Sequence, residues 1–270
     1  MKIAIIIGGW YYPTHLYERV INLTAPSDCN LEFFVMSHRN PANSDISQEM
    51  LSRIESKNTF DQKLYSKIIS YTELTNLGYR IHECENAIGD YYFFNQWSDL
   101  YNYLDYDYVL FMHDDNFMLP EFKNLLVDIF ENRINLYKFN KRWQVSKTHT
   151  NFDYIANSPV GERKTARGSF SIWSNKLLQS MNGKFSMINV ELNRTGQIDT
   201  PYGHENLADW NQVGRNFQDH VEQNGYMEST YRLSDSYRIS KYMIEAERGL
   251  IGCANILSDN FIQQLNNINI

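Results

Sequence analysis

The chain contains few cysteines, and none of them forms a closely spaced pair. Cys29, Cys84 and Cys253 are odd in number and far apart in a chain of 270 residues. The sequence therefore offers neither a disulfide framework nor a Cys-x-x-Cys motif. Such sparse use of cysteine fits the reducing cytoplasm better than secretion, so the sequence predicts a cytoplasmic location.

The chain also lacks a long apolar run and an excess of positive charge. No stretch approaches the roughly 20 apolar residues that a membrane-spanning helix needs. The apolar residues 3–7 are too few for the core of a signal peptide. A formal net charge of −7 argues against a broad nucleic-acid-binding face. We therefore expect no transmembrane segment and no nucleic-acid partner.

Apolar residues, in contrast, are plentiful, and they alternate between strand-like and helix-like patterns. Apolar runs predict strands at residues 3–7, 31–36, 79–84 and 106–112. Helical spacing predicts helices at residues 44–56, 60–74 and 93–104, and the polar stretch 139–168 predicts a long loop. Strands separated by helices predict a parallel sheet of the doubly wound α/β class.

The most informative feature is an acidic turn at the end of the fourth predicted strand. The apolar run 106–112 changes abruptly into His113-Asp114-Asp115-Asn116. Open α/β folds bind ligands at the carboxyl ends of their strands. Neighbouring carboxylates repel each other unless a cation binds between them. Their oxygen atoms suit Mg²⁺ or Mn²⁺, and these metals commonly bind a diphosphate. The alternative is that both aspartates cap the next segment or form an exposed turn.

The order of elements resembles the nucleotide-sugar glycosyltransferases of the GT-A fold, particularly the family-2-like group. Their fourth strand ends in Asp-x-Asp, and the aligned residues here are His113, Asp114 and Asp115. Histidine thus replaces the first acid, for which Asp114 is expected to compensate. The resemblance implies an α/β, GT-A, Rossmann-like fold with a mostly parallel central sheet flanked by helices. It also implies that Asp115 binds the metal.

The same resemblance implies a division of the chain. Residues 1–232 form the GT-A domain, with a nucleotide-binding half at about 1–120 and an acceptor half at about 121–232. Residues 233–270 have no counterpart in the resembled family, and we expect them to form a C-terminal helical extension packed on the domain. Residues 168–174 and 176–178, followed by Asn182-Gly183, resemble the acceptor-side strand and its short helix.

A third segment, residues 202–207, resembles the Gly-Glu-Asp-x-x-Leu pattern that carries the catalytic base of inverting members. It reads Tyr-Gly-His-Glu-Asn-Leu, and a predicted helix follows it. The resemblance implies that Glu205 is the base, with Asp209 one helical turn later as the reserve and His204 in place of the usual acid. The alternative for Glu205 is an acid that interacts favourably with the dipole at the start of the helix.

Residues after the first strand are candidates for nucleotide binding. Gly8 and Gly9 permit close backbone approach, and Trp10, Tyr11 or Tyr12 would stack on a base. Both the Gly-x-Gly-x-x-Gly fingerprint and the Lys-Ser/Thr of a phosphate-binding loop are absent. The alternative is that these aromatic residues pack under the sheet.

Further donor-binding and metal-binding candidates are scattered along the chain. Arg39 is expected at the base or a phosphate, and Asp90 lies where the resembled family has a donor-contacting loop. Arg163 and Arg167, with Lys164, are expected to clamp the diphosphate as a lid, or else to be solvated surface charges. The remaining candidates are histidines that would complete the coordination of the metal or serve as structural residues: His113, His204 and His220.

These features together predict a metal-dependent glycosyltransferase that uses Mn²⁺ or Mg²⁺. It would move a sugar from a donor of the UDP, GDP or dTDP type to a hydroxyl of a glycan, lipid or small molecule, with inversion. One alternative is a metal-dependent phosphohydrolase, which also uses His-Asp and His-Glu pairs around two cations. The other is a non-catalytic nucleotide- or carbohydrate-binding module, which the histidines at positions 113 and 204 favour.

Overall fold

The structure is a computed structural model. It describes residues 1–9, 12–37, 67–84, 90–114, 116–139, 145–148, 151–157, 170–186, 192–193, 199–200, 203–204, 207–208, 210–234 and 240–244. The strands are β1 (Lys2–Gly9), β2 (Asn30–Ser37), β3 (Arg80–Glu83), β4 (Tyr108–His113), β5 (Phe117–Met118), β6 (Leu136–Lys138), β7 (Val145–Ser146), β8 (Tyr154–Ala156), β9 (Phe170–Ser174), β10 (Leu192–Asn193), β11 (Asp199–Thr200), β12 (Gly203–His204), β13 (Leu207–Ala208), β14 (Thr230–Arg232) and β15 (Met243–Ile244). The α-helices are α1 (Thr14–Ile21), α2 (Tyr71–Leu77), α3 (Asp90–Leu100), α4 (Leu125–Phe130), α5 (Asn175–Ser180) and α6 (Trp210–Gln223). Short 3₁₀ helices span Tyr103–Asp105, Pro120–Asn124 and Tyr226–Ser229.

A nine-stranded sheet in the order β3-β2-β1-β4-β9-β8-β14-β6-β7 forms the centre of the fold. Strands β3, β2, β1 and β4 are parallel neighbours, β9 runs antiparallel to β4 and β8, and β14 runs parallel to β8. Helices pack on both faces. The predicted α/β fold with a mostly parallel central sheet flanked by helices is therefore confirmed.

The side chains of β1 show why this strand lies in the middle. Ile3 to Ile7 are all fully buried, because the alternating side chains meet apolar layers on both faces. One face packs with α1, α2 and α4, and we call it the α1 face. The other packs with α3, α5 and α6, and we call it the α3 face.

The parallel strands define two edges of the sheet. Strands β1, β2, β3, β4, β8 and β14 all end at one edge, which we call the carboxyl edge, and they begin at the opposite, amino edge. The chain first builds outward from β1 to β2 and β3, and then returns to place β4 on the other side of β1. The strand order therefore reverses between β1 and β4, where an open α/β sheet forms its ligand crevice.

Three sequence predictions differ from the structure. Residues 67–70 are not helical, so the helix predicted at 60–74 is wrong in this part. Helix α2 starts at Tyr71, because Ser70 is its N-cap and forms a reciprocal capping box with Glu73. The predicted loop 139–168 contains β7 and the central strand β8, whose three residues are too few to give a periodic signal. Within the predicted helical extension, residues 243–244 form strand β15.

Two further observations concern the described residues alone. No helix among them is both long and hydrophobic enough to cross a bilayer. Cys29 and Cys84 are free thiols, and burial raises the pKa of Cys84 to about 12.

Candidate functional site

The carboxyl ends of β1 and β4 lie side by side and form the centre of the candidate site. Gly8 of β1 is in register with His113 of β4, and Gly9 is in register with Ser37 at the end of β2. The sequence thus brings Gly8, Gly9, His113 and Asp114 together at the reversal of the strand order. The long apolar runs of β1 and β4 end at these residues, which are themselves buried.

Asp114 lies on the α1 face and is completely buried. Its Oδ2 accepts the backbone N–H of Tyr12 at 2.7 Å and the hydroxyl of Tyr17 at 3.3 Å. Its own N–H donates to the carbonyl of Gly8 at 3.2 Å. The sequence predicted that Asp114 contacts the nucleotide and compensates for His113. Oδ2 of Asp114 therefore holds the backbone at Tyr12, and the predicted contact of Asp114 with a nucleotide stays a prediction.

The two tyrosines that meet Asp114 form a buried polar cluster. Tyr12 and Tyr17 are fully buried and stack with ring centroids 6.3 Å apart. Burial, reinforced by the negative charge of Asp114, raises the pKa of Tyr17 well above its usual value. The Tyr17 hydroxyl therefore stays protonated and donates a hydrogen bond to the carboxylate.

Tyr12 connects this cluster to β2. It adopts a left-handed backbone conformation, with φ of 55°, which is uncommon for a non-glycine residue. Its hydroxyl bonds to Ser37, which in turn bonds to the hydroxyl of Tyr71. The prediction that Tyr12 stacks on a base is wrong, because its ring has no exposed surface.

His113 points to the opposite face of the sheet. The residue is 8% exposed, and its ring meets that of Phe111 edge-on, with ring centroids 5.6 Å apart. The carbonyl of His113 accepts the side-chain amide of Asn116 at 3.0 Å. Residues 113 and 114 thus leave β4 on opposite faces, so they do not form one ligand pair.

The two glycines at the end of β1 are required by the protein's own packing. A Cβ atom on Gly9 would lie 2.9 Å from the Tyr17 hydroxyl and 3.1 Å from the Tyr12 ring. A Cβ atom on Gly8 would lie 3.0 Å from Phe93 of α3. These contacts give both glycines a role in packing, and their predicted approach to a nucleotide stays a prediction.

His220 is far from this centre. It lies near the end of α6, at the amino edge, where Nε2 lies 2.8 Å from the Ser180 hydroxyl and the ring stacks on Tyr226. Burial lowers the pKa of His220. The structure does not bring His220 to His113, so its predicted role in a shared metal site is not supported. Its signal in the sequence was a lone helical histidine, which is more often structural.

Several predicted site residues lie outside the described residues: Trp10, Tyr11, Arg39, Asp115, Arg163, Arg167, Glu205 and Asp209. For Asp90 and His204 the structure describes only the backbone, in α3 and β12. Their predicted roles stay predictions.

The described residues do not assemble a cation site by themselves. No three His, Cys, Asp or Glu side chains among them lie close enough to bind a metal ion together. Asp114 faces its tyrosine partners, while His113 lies on the other face of the sheet. The metal prediction therefore depends on Asp115, which lies outside the described residues.

Sequence reasoning missed two residues beside the acidic turn. Tyr17 and Arg19 both lie on α1, whose apolar spacing was not recognised as a helix. Arg19 donates to the carbonyl of Met118 in β5, and its guanidinium lies 5.7 Å from the centre of the Phe117 ring. Burial lowers the pKa of Arg19. The apolar positions 16, 17 and 20 were the available signal for this helix.

Comparisons with known proteins give similarity at the level of structure only. No protein-family model matches the chain, and no curated protein is significantly similar to it. The structure of S. aureus TarS 1–349 is 14% identical, with a TM-score of 0.44, and the match covers 90% of this chain and 60% of that one. The complex of TarS 1–349 with UDP-GlcNAc is 11% identical, with a TM-score of 0.43 and coverages of 90% and 58%. The glycosyltransferase GlyE of Streptococcus pneumoniae TIGR4 is 14% identical, with a TM-score of 0.35 and coverages of 87% and 46%. The chain thus spans between 46% and 60% of the length of these solved structures.

Proposed function

We propose that this protein is a glycosyltransferase that moves a sugar from a nucleotide diphosphate sugar to an acceptor hydroxyl. One observation carries the proposal. The acidic turn His113-Asp114-Asp115 follows β4 directly beside the end of β1, at the point where the strand order reverses. A doubly wound sheet binds its nucleotide at this position.

The proposed roles divide between the fold and the turn. Asp114 holds the backbone of Tyr12 and thereby fixes the path of the chain after β1. On the resemblance of sequence, Asp115 is the proposed ligand of Mn²⁺ or Mg²⁺, and Glu205 is the proposed base with Asp209 in reserve. A bound cation would neutralise the charge of the leaving diphosphate. The proposal includes inversion at the sugar and a cytoplasmic location, which the sparse cysteines support.

A donor screen tests the proposal directly. Sugar conjugates of UDP, GDP and dTDP are incubated with the full chain and a panel of acceptors, with and without Mn²⁺, and the released nucleoside diphosphate is measured. We expect release with one donor class and a strong dependence on Mn²⁺. If no nucleotide is released, and none stabilises the protein against heat in the presence of Mn²⁺, the proposal is wrong.

Two substitutions separate binding from catalysis. Asp115→Ala should abolish Mn²⁺-dependent donor binding, whereas Glu205→Gln should preserve binding and remove transfer. Asp219→Ala and Glu222→Gln, on the exposed surface of α6, are the matched controls and should leave both unchanged. Turnover that survives Glu205→Gln would exclude this residue as the base.

The structure also favours one alternative, a non-catalytic nucleotide- or carbohydrate-binding module. Asp114 was expected to replace the acid that the turn lacks at position 113, but its Oδ2 is bonded to Tyr12 and Tyr17. One oxygen of the carboxylate that was expected to replace this acid is thus already bonded to the protein. Tight binding of nucleotide without turnover on a broad acceptor panel would establish this alternative.

A further inference from the structure

A short segment from the C-terminal part of the chain pairs with the residues that follow the acidic turn. In β15, Met243 pairs with Met118 and Ile244 with Phe117 in antiparallel register. The N–H of Leu119 also donates to the carbonyl of Tyr242 at 2.8 Å. Phe117 is only two residues from Asp115 in the chain. The sequence analysis assigned no function to this segment.

A charged cluster fixes residues 240–244 to α4. The Tyr242 hydroxyl and the Lys241 ammonium both donate to Oδ2 of Asp128, at 2.9 and 2.8 Å. The Lys241 ammonium also lies 4.7 Å from the centre of the Tyr242 ring. We call residues 240–244 together with Asp128 the brace.

The brace is an integral part of the core. Tyr242 is 1% exposed, and Met243 and Ile244 have no exposed surface. Tyr242 and Met243 belong to the same apolar layer as Met112 of β4 and Met118 of β5. The described flanks of the acidic turn are therefore held on one side by β4 and Asp114, and on the other side by the brace.

We propose that the brace positions the acidic turn for nucleotide binding, and that Tyr242 and Asp128 are positioning residues. This inference rests on the proposed function. The physical reason is that two backbone pairings, with the bond from Leu119, set the direction in which the chain leaves position 116. Small displacements of charged side chains in a binding site lower its affinity, because contacts with a diphosphate or a cation require defined distances and angles.

The chain offers a closely matched control at the amino edge. Tyr106 donates to Glu32 at 2.7 Å, Lys2 pairs with Glu32 at 2.9 Å, and the Lys2 ammonium lies 4.5 Å from the centre of the Tyr106 ring. This triad has the same chemistry as Tyr242, Asp128 and Lys241. It lies at the other end of the strands from the acidic turn. Tyr106→Phe and Tyr242→Phe thus remove the same kind of bond from opposite edges.

The experiment measures the affinity of the full chain for UDP, GDP and dTDP with Mn²⁺ by calorimetry, together with thermal melting. Loss of one hydrogen bond to a carboxylate should lower the melting temperature of both variants by a few degrees. We expect Tyr242→Phe to weaken nucleotide binding by about threefold to tenfold, which corresponds to a bond of ordinary strength. Asp128→Asn should weaken it at least as much, and Tyr106→Phe should leave it unchanged.

The outcomes distinguish positioning of the acidic turn from general destabilisation of the protein. If Tyr242→Phe and Tyr106→Phe weaken binding equally, the effect is general destabilisation and the inference is overturned. Unchanged affinity in Tyr242→Phe and Asp128→Asn overturns it as well, while the proposed function stands. If the wild-type protein binds none of the three nucleotides, the proposed function fails first, and the inference falls with it.

Discussion

The two edges of the central sheet use buried carboxylates in different ways. At the amino edge, Asp153 accepts the hydroxyls of Ser174 and Ser229 at 2.7 and 2.6 Å, which joins the ends of neighbouring strands. At the carboxyl edge, Asp114 accepts the N–H of Tyr12 and the hydroxyl of Tyr17, which fixes a turn beside the candidate site. The first carboxylate holds the fold alone, whereas the second connects the fold to the proposed site.

Removing each carboxylate should separate these roles and gives the largest expected effect. Asp114→Ala leaves a buried N–H and a buried hydroxyl without this acceptor, so we expect a loss of about 3 kcal/mol in unfolding free energy. Nucleotide affinity should fall more than tenfold. Asp153→Ala should cost about 2 kcal/mol, because two hydroxyls lose their acceptor, and should leave affinity unchanged.

Urea unfolding and calorimetry with UDP and Mn²⁺ check both variants. If Asp153→Ala weakens nucleotide binding as much as Asp114→Ala does, the two edges do not differ in the proposed way.

Adding one methyl group to a glycine makes the same comparison through packing. Gly9→Ala places a Cβ atom 2.9 Å from the Tyr17 hydroxyl, so we expect a cost of about 1–3 kcal/mol and weaker nucleotide binding. Gly225→Ala, near the amino edge, meets no atom within 4 Å but has a φ of 77°, so backbone strain alone should cost about 1 kcal/mol. Calorimetric melting and nucleotide titration measure both, and an unaffected titration in Gly9→Ala would contradict the prediction.

Tyr17→Phe is a smaller change at the same cluster. It removes one donor to Asp114 but keeps the stacked ring, so we expect a cost of about 1 kcal/mol and a loss of nucleotide affinity of about threefold. Stopped-flow or equilibrium titration of the variant with Mn²⁺ and UDP measures the second quantity. A stable variant with unaltered affinity would show that the bond between Asp114 and the N–H of Tyr12 suffices to fix the turn.

The loss of unfolding free energy at alkaline pH should be similar at both edges. It is therefore the smallest expected difference between them. Burial raises the pKa of Tyr17 at the carboxyl edge, and burial together with Glu32 raises that of Tyr106 at the amino edge. In the unfolded chain these phenols ionise near pH 10. Their contribution is therefore fully present below about pH 10 and is lost as the pH rises towards their folded values. Urea unfolding from pH 8 to 11 should show this loss, and Tyr17→Phe or Tyr106→Phe should each reduce it.

The sequence predicted the fold better than it predicted the roles of single side chains. The apolar runs of β1 and β4 located these strands because their burial on both faces leaves an uninterrupted pattern. Short β8 escaped notice, since three residues show no periodicity.

The burial of Asp114 and Tyr12 depends on tertiary contacts, which no local sequence pattern encodes. Asp114 is buried because the Tyr17 hydroxyl and the N–H of Tyr12 lie beneath the end of β4 and donate to its carboxylate. Tyr12 likewise combines a left-handed backbone conformation with a hydrogen bond to Ser37, 25 residues away in the chain. His113 kept its predicted position at the end of the strand, because the strand's alternation continues through it.

The central position of β1 has a consequence for biosynthesis. β1 pairs on one side with β2, but its other side waits for β4, since Ile3 is in register with Tyr108. While the ribosome is still making the intervening residues, a strand of buried isoleucines has one hydrogen-bonding edge without its native partner. Such an apolar edge is where nascent chains associate wrongly. The yield of folded protein should therefore respond to chaperones that act during synthesis of the first half of the chain.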